Sequence, residues 1–469
     1  MYNIWKDGVD MLIGFSVSNY KSFNETQSIS LLASKVSRHK EHVSLVENRR
    51  LLKSALVFGA NAGGKSNLIK AVHFSRNIVL GGLEKVNLNK KHFRIEREMY
   101  SQPGVFEYRI ITNGKEYSYG LAVSYVKREI IAEWLVRIDT NGKEIYIYNR
   151  EVDEEGISHV NTDIIYDKTE ENMRMRIYLA DFDQNISETF RRKTILSDIA
   201  ARGNDKQGIF SEIVNVFEWF ENIIILFPDT VYGKLNDIAA DEDMRVIFSD
   251  LMSYFDTGIE SVESEQQQMD FDKILENIPK EDMERIKLDI SNKVNERPIM
   301  FNVNQRVYVL RKDSNGNIVY NKMLLNHGNG DDLFEYADES DGTKRLFDLI
   351  PLFYESRDNC VILIDEIDRS LHTNLTKRFL ELFYSLTENE KSQIIATTHD
   401  SNLLDLELVR QDEIWFVERQ KNHSSKIYSL NKFRARFDKK IDKEYLLGRY
   451  GAIPIFNDEA LESEEDYDE

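Results

Sequence analysis

Residues 55–66 read Ala-Leu-Val-Phe-Gly-Ala-Asn-Ala-Gly-Gly-Lys-Ser. An apolar burst of buried-strand type runs straight into Gly59-Ala60-Asn61-Ala62-Gly63-Gly64-Lys65-Ser66, which satisfies G-x-x-x-x-G-K-[ST]. The residues that follow, NLIKAVHFSRNIVL, have helical spacing. Strand, glycine turn and helix in that order form a phosphate cradle. The glycines let the backbone curl so that successive N–H groups point at phosphate oxygens. Lys65 supplies a point charge to the β- and γ-phosphates, the Ser66 hydroxyl ligates Mg²⁺, and the helix turns its positive end to the same anion. Gly59, Asn61, Gly63, Gly64, Lys65, Ser66 and Asn67 are the expected ATP-binding residues, in an α/β fold.

A second apolar run, Cys360-Val361-Ile362-Leu363-Ile364, ends in Asp365-Glu366. Open parallel sheets bind ligands at the carboxyl ends of their strands, which is where this pair falls. Asp365 is the expected metal carboxylate with Ser66, and Glu366 the expected general base for the attacking water. A third run, Ile394-Ile395-Ala396-Thr397-Thr398, ends in His399-Asp400, which lets His399 reach the γ-phosphate from a neighbouring strand. Upstream, Glu339-Ser340-Asp341-Gly342-Thr343-Lys344-Arg345 opens an amphipathic helix with good capping residues. A helix start is an anion site, and the glycine lets a phosphate approach. Pro351 predicts a kink or an end to that helix.

Around these motifs the chain divides into stretches of different character. Residues 12–32 alternate as strands do. From 105 to 150, FEYRI, YSYGLAVSY, IIAEWLVRI and EIYIY predict a β-meander, punctuated by Asn113-Gly114 and Asn141-Gly142. Residues 168–296 are largely polar with helical spacing and predict a helical insert; no heptad persists, so no coiled-coil arm is expected. The resulting division is 11–167, an N-terminal ATPase lobe; 168–296, the insert; 297–456, a C-terminal lobe; and 457–469, a disordered tail with eight acidic residues in thirteen.

The 469 residues are 41% hydrophobic and 30% charged, with a formal net charge of −20. That balance disfavours a nucleic-acid coat, whose affinity rests on phosphate neutralisation. The longest apolar runs, 223–227 and 360–364, have five residues against the ~20 of a membrane span. One cysteine fits a reducing compartment, so a cytoplasmic protein without a membrane role is expected. Basic patches at 49–50, 191–193 and 432–440 read as solvated faces. The nine histidines are scattered, and no nuclease constellation emerges.

Together the motifs resemble the ABC-type ATPase head of SMC, RecF and OLD-family proteins. Asn19-Tyr20-Lys21-Ser22-Phe23 looks like their "N-F-[KR]-S-F" entry strand, Ser340 to Lys344 like the ABC signature, Asp368-Arg369-Ser370-Leu371-His372 like the D-loop, and His399 like the switch histidine. Gln102 is the nearest counterpart of a Q-loop residue. Within that group the chain is similar to a prokaryotic family of stand-alone ABC-type ATPases that includes RloA and the AbiL ATPase component. The shared ending is Tyr445-Leu446-x-Gly448-x-Tyr450-Gly451-Ala452-x-Pro454. The resemblance implies a mixed sheet with an antiparallel meander. It also implies ATP and Mg²⁺ sandwiched between two heads, Ser340 and Gly342 acting in trans, and hence a homodimer or higher even oligomer. It further implies an anti-phage role with a separately encoded effector, often a nuclease, and a phage-derived trigger. A RecF-like ATPase at DNA ends and an ATP-dependent scaffold are the alternatives. Lys65→Ala is expected to abolish nucleotide binding, measured by equilibrium titration; near-wild-type affinity would overturn the phosphate-loop assignment.

Overall fold

The computed structural model describes residues 10–164, 170–184, 187–202, 208–230, 238, 241–275, 278–294, 299–303, 306–313, 315–356, 359–433 and 440–454. The acidic tail lies outside them. The chain divides into two compact units: Met1–Pro228 with Ser356–Asp368 and Thr376–Glu469, and Asp229–Glu355 with Arg369–Leu375.

In chain order the first unit opens with β1 (Met11–Ser18), β2 (Gln27–Ser30), β3 (Val43–Val46), β4 (Arg49–Leu52), β5 (Ser54–Phe58) and α1 (Lys65–Gly81). The meander is β6 (Gly104–Thr112), β7 (Lys115–Ser124), β8 (Glu129–Ile138), β9 (Glu144–Val152) and β10 (Ser158–Asn161). Four helices follow, α2 (Glu170–Ala180), α3 (Glu188–Arg192), α4 (Ile195–Arg202) and α5 (Gly208–Glu221), then β11 (Ile224–Leu226). The second unit contains α6 (Glu242–Tyr254), β12 (Ser261–Gln268), α7 (Phe271–Ile274), α8 (Lys280–Val294), β13 (Ile299–Val303), β14 (Arg306–Lys312), β15 (Ile318–Asn326), β16 (Phe334–Glu335), α9 (Asp341–Leu349) and α10 (Leu352–Glu355). The rest of the chain adds β17 (Val361–Ile364), α11 (Thr373–Leu386), β18 (Gln393–Thr397), β19 (Ile414–Arg419), β20 (Ser425–Ser429) and α12 (Ile441–Leu446).

The first unit is a mixed α/β structure with two main sheets. One runs β11-β17-β18-β5-β19-β20, parallel except for β20. Its inner strands β5, β17 and β18 are buried along their whole length, as strands covered on both faces must be. The other sheet is antiparallel, β10-β9-β8-β7-β6-β1-β2. Here apolar and polar residues alternate; Phe15, Val17, Phe106 and Tyr108 point into the core. Asn113 and Gly114 both take positive φ, 50° and 73°, the two-residue turn that matches strand twist. One apolar core joins residues of both sheets to α1, α4 and α5 and includes Trp219 and Phe220. Gln393, 0% exposed, links the sheets: its Nε2 donates to Leu12 O (3.0 Å) and Leu52 O (2.9 Å), and its Oε1 accepts from Leu12 N (2.6 Å).

The second unit has its own sheet, β12-β15-β14-β13 with β16 on β15, all antiparallel. A small core of Met269, Ile290, Val294, Leu310 and Tyr320 lies within this unit.

Three expectations are corrected. Residues 168–296 are not one helical insert: α2–α5 and β11 belong to the first unit, and β12 is a strand. The apolar Ile224–Leu226 is claimed by parallel pairing with β17, whereas β12 (SVESEQQQ) pairs with β15 over eight residues despite having little apolar pattern. Residues 297–456 are likewise shared, the chain returning to the first unit at Ser356. Residues 19–23 are a turn after β1 and not a strand, because Asn19 and Lys21 both have left-handed backbones. Pro351 does interrupt the helix there, between α9 and α10. Among the described residues no helix is long and apolar enough to cross a membrane.

Gln393→Leu leaves three buried backbone groups unpaired, so the first unit should lose about 2–4 kcal/mol. The expected readout is a lower urea midpoint together with faster amide exchange at Leu12.

Candidate functional site

The loop between β5 and α1 is shaped by what lies behind it. A Cβ on Gly59 would come 2.2 Å from the Val417 carbonyl oxygen of β19, and one on Gly63 would come 2.9 Å from the same atom. A Cβ on Gly64, whose φ is 113°, would collide with Ser425 Oγ at 2.1 Å. The loop is also tied down by hydrogen bonds. Ser425 Oγ donates to Gly63 O (2.6 Å) and lies 2.8 Å from Ser22 Oγ, while Asn67 Nδ2 donates to that same Ser22 hydroxyl (2.8 Å). The turn bearing Ser22 is fixed through Asn19, whose amide donates to Met99 O and Gln102 O, both at 2.7 Å, and accepts from Phe93 N at 3.0 Å.

In front of the loop lies a cavity of about 690 Å³ lined by Ala60, Asn61, Ala62, Gly64, Lys65, Ser66, Asn67, Glu366 and His399. The carboxyl ends of β5, β17 and β18 thus meet at one place, as neighbouring parallel strands allow. Lys65 Nζ donates to Gly59 O (2.6 Å) and Ala60 O (3.3 Å) and lies 3.2 Å from His399 Nδ1. Since an ammonium only donates, that nitrogen accepts, and the His399 proton sits on Nε2, 3.7 Å from Glu366 Oε1. Burial pulls the Lys65 ammonium down to about 8, against the carboxylates of Asp368, Asp365 and Glu366, which hold it up.

The structure brings Asn61, Gly64, Lys65, Ser66, Asn67, Glu366 and His399 to the cavity. Gly59 and Gly63 serve the loop from behind, against β19. Asp365 is 2% exposed and is not among the lining residues; its Oδ1 accepts from Thr397 Oγ1 (2.7 Å). That threonine also accepts from Glu366 N (2.8 Å), so one hydroxyl positions both acidic residues. Asp368 accepts from His399 N at 3.2 Å. Neither supporting role was visible in sequence, although Thr397 stood in the strand that names His399. Gln102 does not line the cavity; its carbonyl accepts from Asn19 Nδ2 and its N–H donates to Met99 O.

Ser340 and Gly342 belong to the second unit. Ser340 is the N-cap of α9, accepting from Thr343 N at 3.1 Å. A Cβ on Gly342 would come 2.9 Å from Ser370 O, so the glycine makes room for backbone as well as for any phosphate.

The family model described as "AAA domain, putative AbiEii toxin, Type IV TA system" matches residues 54–179 and 245–405. The chain belongs to that family. It is a P-loop ATPase by family, and the matched region includes the loop at 59–66. Solved structures with some likeness are SMC heads. One, bound to the C-terminal winged-helix domain of ScpA, is 15% identical with TM-score 0.41 and covers 90% of this chain and 98% of that one. The SMC head domain from Thermotoga maritima is 13% identical with TM-score 0.36, covering 89% and 98%. An Smc head with an extended coiled coil, bound to the C-terminal domain of ScpA derived from Pyrococcus furiosus, is 14% identical with TM-score 0.38, covering 90% and 97%. No curated protein matches.

The residues present in this AAA ATPase fit a Mg²⁺ ion: a hydroxyl at Ser66 and carboxylates at Asp365 and Glu366 are hard oxygen donors. The AAA ATPase also has a second cavity, of about 370 Å³, lined among others by Lys21, Lys70, Lys85, Lys91 and His73. Burial, then Lys70 and Lys91, lower the Lys21 ammonium. Of the patches marked in sequence, Arg49 pairs with Glu116 (3.0 Å), Arg191 with Glu129 (3.0 Å) and Arg192 with Glu188 (3.2 Å); residues 434–439 of the third lie outside the described residues. The cations of this cavity come from three separate segments, so no single run of the sequence marks it.

Phosphate beside Lys65 raises the ammonium above its unliganded value near 8, so ATP binding takes up a proton in the window above that pH. Affinity should be flat below pH 8 and fall up to about tenfold per unit above it. Titration with a non-hydrolysable ATP analogue checks this, and Lys65→Ala should abolish the slope along with the binding.

Proposed function

We propose that the chain is the regulatory ATPase of a prokaryotic anti-phage defence system, binding MgATP between two copies of itself and controlling a separately encoded effector. The observation that carries the ATPase half is the single cavity holding the Lys65 ammonium, the Ser66 hydroxyl, the Glu366 carboxylate and the His399 imidazole. Ser66 and Asp365 would hold the Mg²⁺, which when bound neutralises phosphate charge. Lys65 exchanges its loop carbonyls for phosphate oxygens. Glu366 accepts the proton of a water attacking the γ-phosphorus, the bond to the β–γ bridging oxygen breaks, and ADP leaves. His399, hydrogen-bonded towards Lys65, orients the γ-phosphate. Ser340 and Gly342 of a second copy would close the site. The defence half is supported by the family's description as a putative AbiEii toxin of a type IV toxin–antitoxin system.

A second reading, an ATPase stimulated by DNA, is favoured by the lysine cavity, since clustered cations bind phosphate backbones in a salt-dependent way.

Glu366→Gln should cut turnover about 10²–10⁴-fold, the usual worth of a general base, keep ATP affinity, and accumulate a dimer in saturating ATP by light scattering. A variant that stays monomeric would sink the sandwich. Turnover of the unaltered chain with and without duplex and single-stranded DNA separates the two readings: indifference supports the protein-effector reading, and strong stimulation replaces it with the DNA one.

A further inference from the structure

Outside the cavity beside Lys65, the segment leading into β3 is held by a buried hydrogen-bond network. Arg410, 0% exposed, donates through Nη1 to the carbonyls of Arg38 (2.6 Å), Val36 (3.3 Å) and His39 (3.4 Å). It pairs through Nε and Nη2 with Asp412, both at 2.9 Å, and Asp412 in turn accepts from Ser34 N and Ser34 Oγ at 2.7 Å. The pinned segment turns at His39, whose φ is 48° and ψ 58°, into a single helical turn, Lys40–His42. As a result His39, Glu41 and His42 each bring one donor atom within 4.8 Å of the other two. Glu41 Oε1 is 3.3 Å from His39 Nδ1 and 3.9 Å from His42 Nε2.

The decisive feature is what the other ring nitrogens do. His39 Nε2 lies 3.0 Å from Leu406 O, and His42 Nδ1 lies 3.0 Å from a carboxylate oxygen of Glu413, itself 0% exposed. Carbonyl and carboxylate oxygens only accept, so each ring carries its proton on that outer side. In the neutral imidazoles this leaves lone pairs on His39 Nδ1 and His42 Nε2, both facing the Glu41 oxygen. His39 Nδ1 and Glu41 Oε1 are at hydrogen-bond distance, 3.3 Å, so with the His39 proton on its outer nitrogen three acceptors converge, an arrangement a cation relieves. A carboxylate or carbonyl behind each imidazole is the usual support for a metal-bound histidine. His42 is held further by stacking on Tyr384, 3.5 Å between centroids.

We propose that His39, Glu41 and His42 bind a transition-metal dication of the zinc class, with water completing the coordination. Two imidazoles and one carboxylate select against Ca²⁺ and Mg²⁺, which prefer all-oxygen sites. Zinc bonds of about 2.0–2.1 Å place ligand atoms roughly 3.4 Å apart in a tetrahedron, close to the 3.3 Å already present. Half-exposed Glu41 can shorten its 3.9 Å distance to His42 Nε2, and the less buried His39 ring can move towards His42. Three protein ligands and one open position is the pattern of zinc sites that keep an exchangeable water. Bound there, the ion clips the 34–42 segment together on top of the Arg410 network.

The test uses the full chain, stripped with a chelator and titrated with Zn²⁺ at pH 7.5 against a chromophoric competitor. The expected result is one equivalent bound at micromolar or lower concentration, with Co²⁺ giving a tetrahedral visible spectrum. His39→Ala and Glu41→Gln, chosen because both side chains reach solvent and buried His42 is risky to remove, should each weaken binding at least tenfold. His159→Ala, an exposed histidine elsewhere, should leave it unchanged. Absence of stoichiometric zinc at these concentrations, or binding that survives both ligand substitutions, overturns the proposal.

Discussion

The carbonyl oxygen of Val417 occupies the space where side chains at residues 59 and 63 would have to go. The phosphate loop keeps its shape because β19 stands directly behind it. Strand β19 is in turn held by β20 and by the chain's last described segment. Phe416 stacks on Tyr445 and Tyr450, Tyr428 donates to Tyr450 O (2.7 Å), and Tyr445 donates to Ala452 O (2.9 Å). Glycine is favoured at 451 because its φ is 70°, in the left-handed region. The ending Tyr445-Leu446-x-Gly448-x-Tyr450-Gly451-Ala452 therefore works as a buttress for the nucleotide loop and contributes no residue to the cavity.

Sequence reading reached the parts of this molecule that are local. The glycine loop, the Asp365-Glu366 and His399 strand ends, the Asn113-Gly114 hairpin and the stop before Pro351 are each written within about a dozen residues. It failed where the cause is long-range. Strand β12 buries only Val262 of its eight residues, so its polar sequence carries no period-two signal, and only pairing with β15 defines it. The 19–23 turn was misjudged because the left-handed backbones of Asn19 and Lys21 are imposed by partners some 70–80 residues away. Thr397 and Asp368 act on neighbours rather than on a ligand, and nothing in their own surroundings in sequence marks that.

Electrostatics repeats the lesson. A net charge of −20 describes the whole chain, yet four lysines share one cavity, and Arg49, Arg191 and Arg192 of the basic runs are each paired with a glutamate. Two buried charges are matched: Arg410 with Asp412, and Glu133 with the amides of Ile195 and Leu196 at the start of α4. Lys65 is the instructive case. Its ammonium rests on loop carbonyls and beside His399, a set of partners that phosphate can replace without the loop having to reorganise.

Strand order has a consequence for synthesis on the ribosome. Strand β5 ends at Phe58, but its neighbours β18 and β19 begin at Gln393 and Ile414. At about 5–20 residues per second a nascent chain carries the finished loop sequence for tens of seconds before those neighbours emerge. Until then the loop has no wall behind it, and Glu366 has no Thr397 to hold it. The cavity in front of the loop therefore takes its shape only after residues 393–419 have been made and paired with β5.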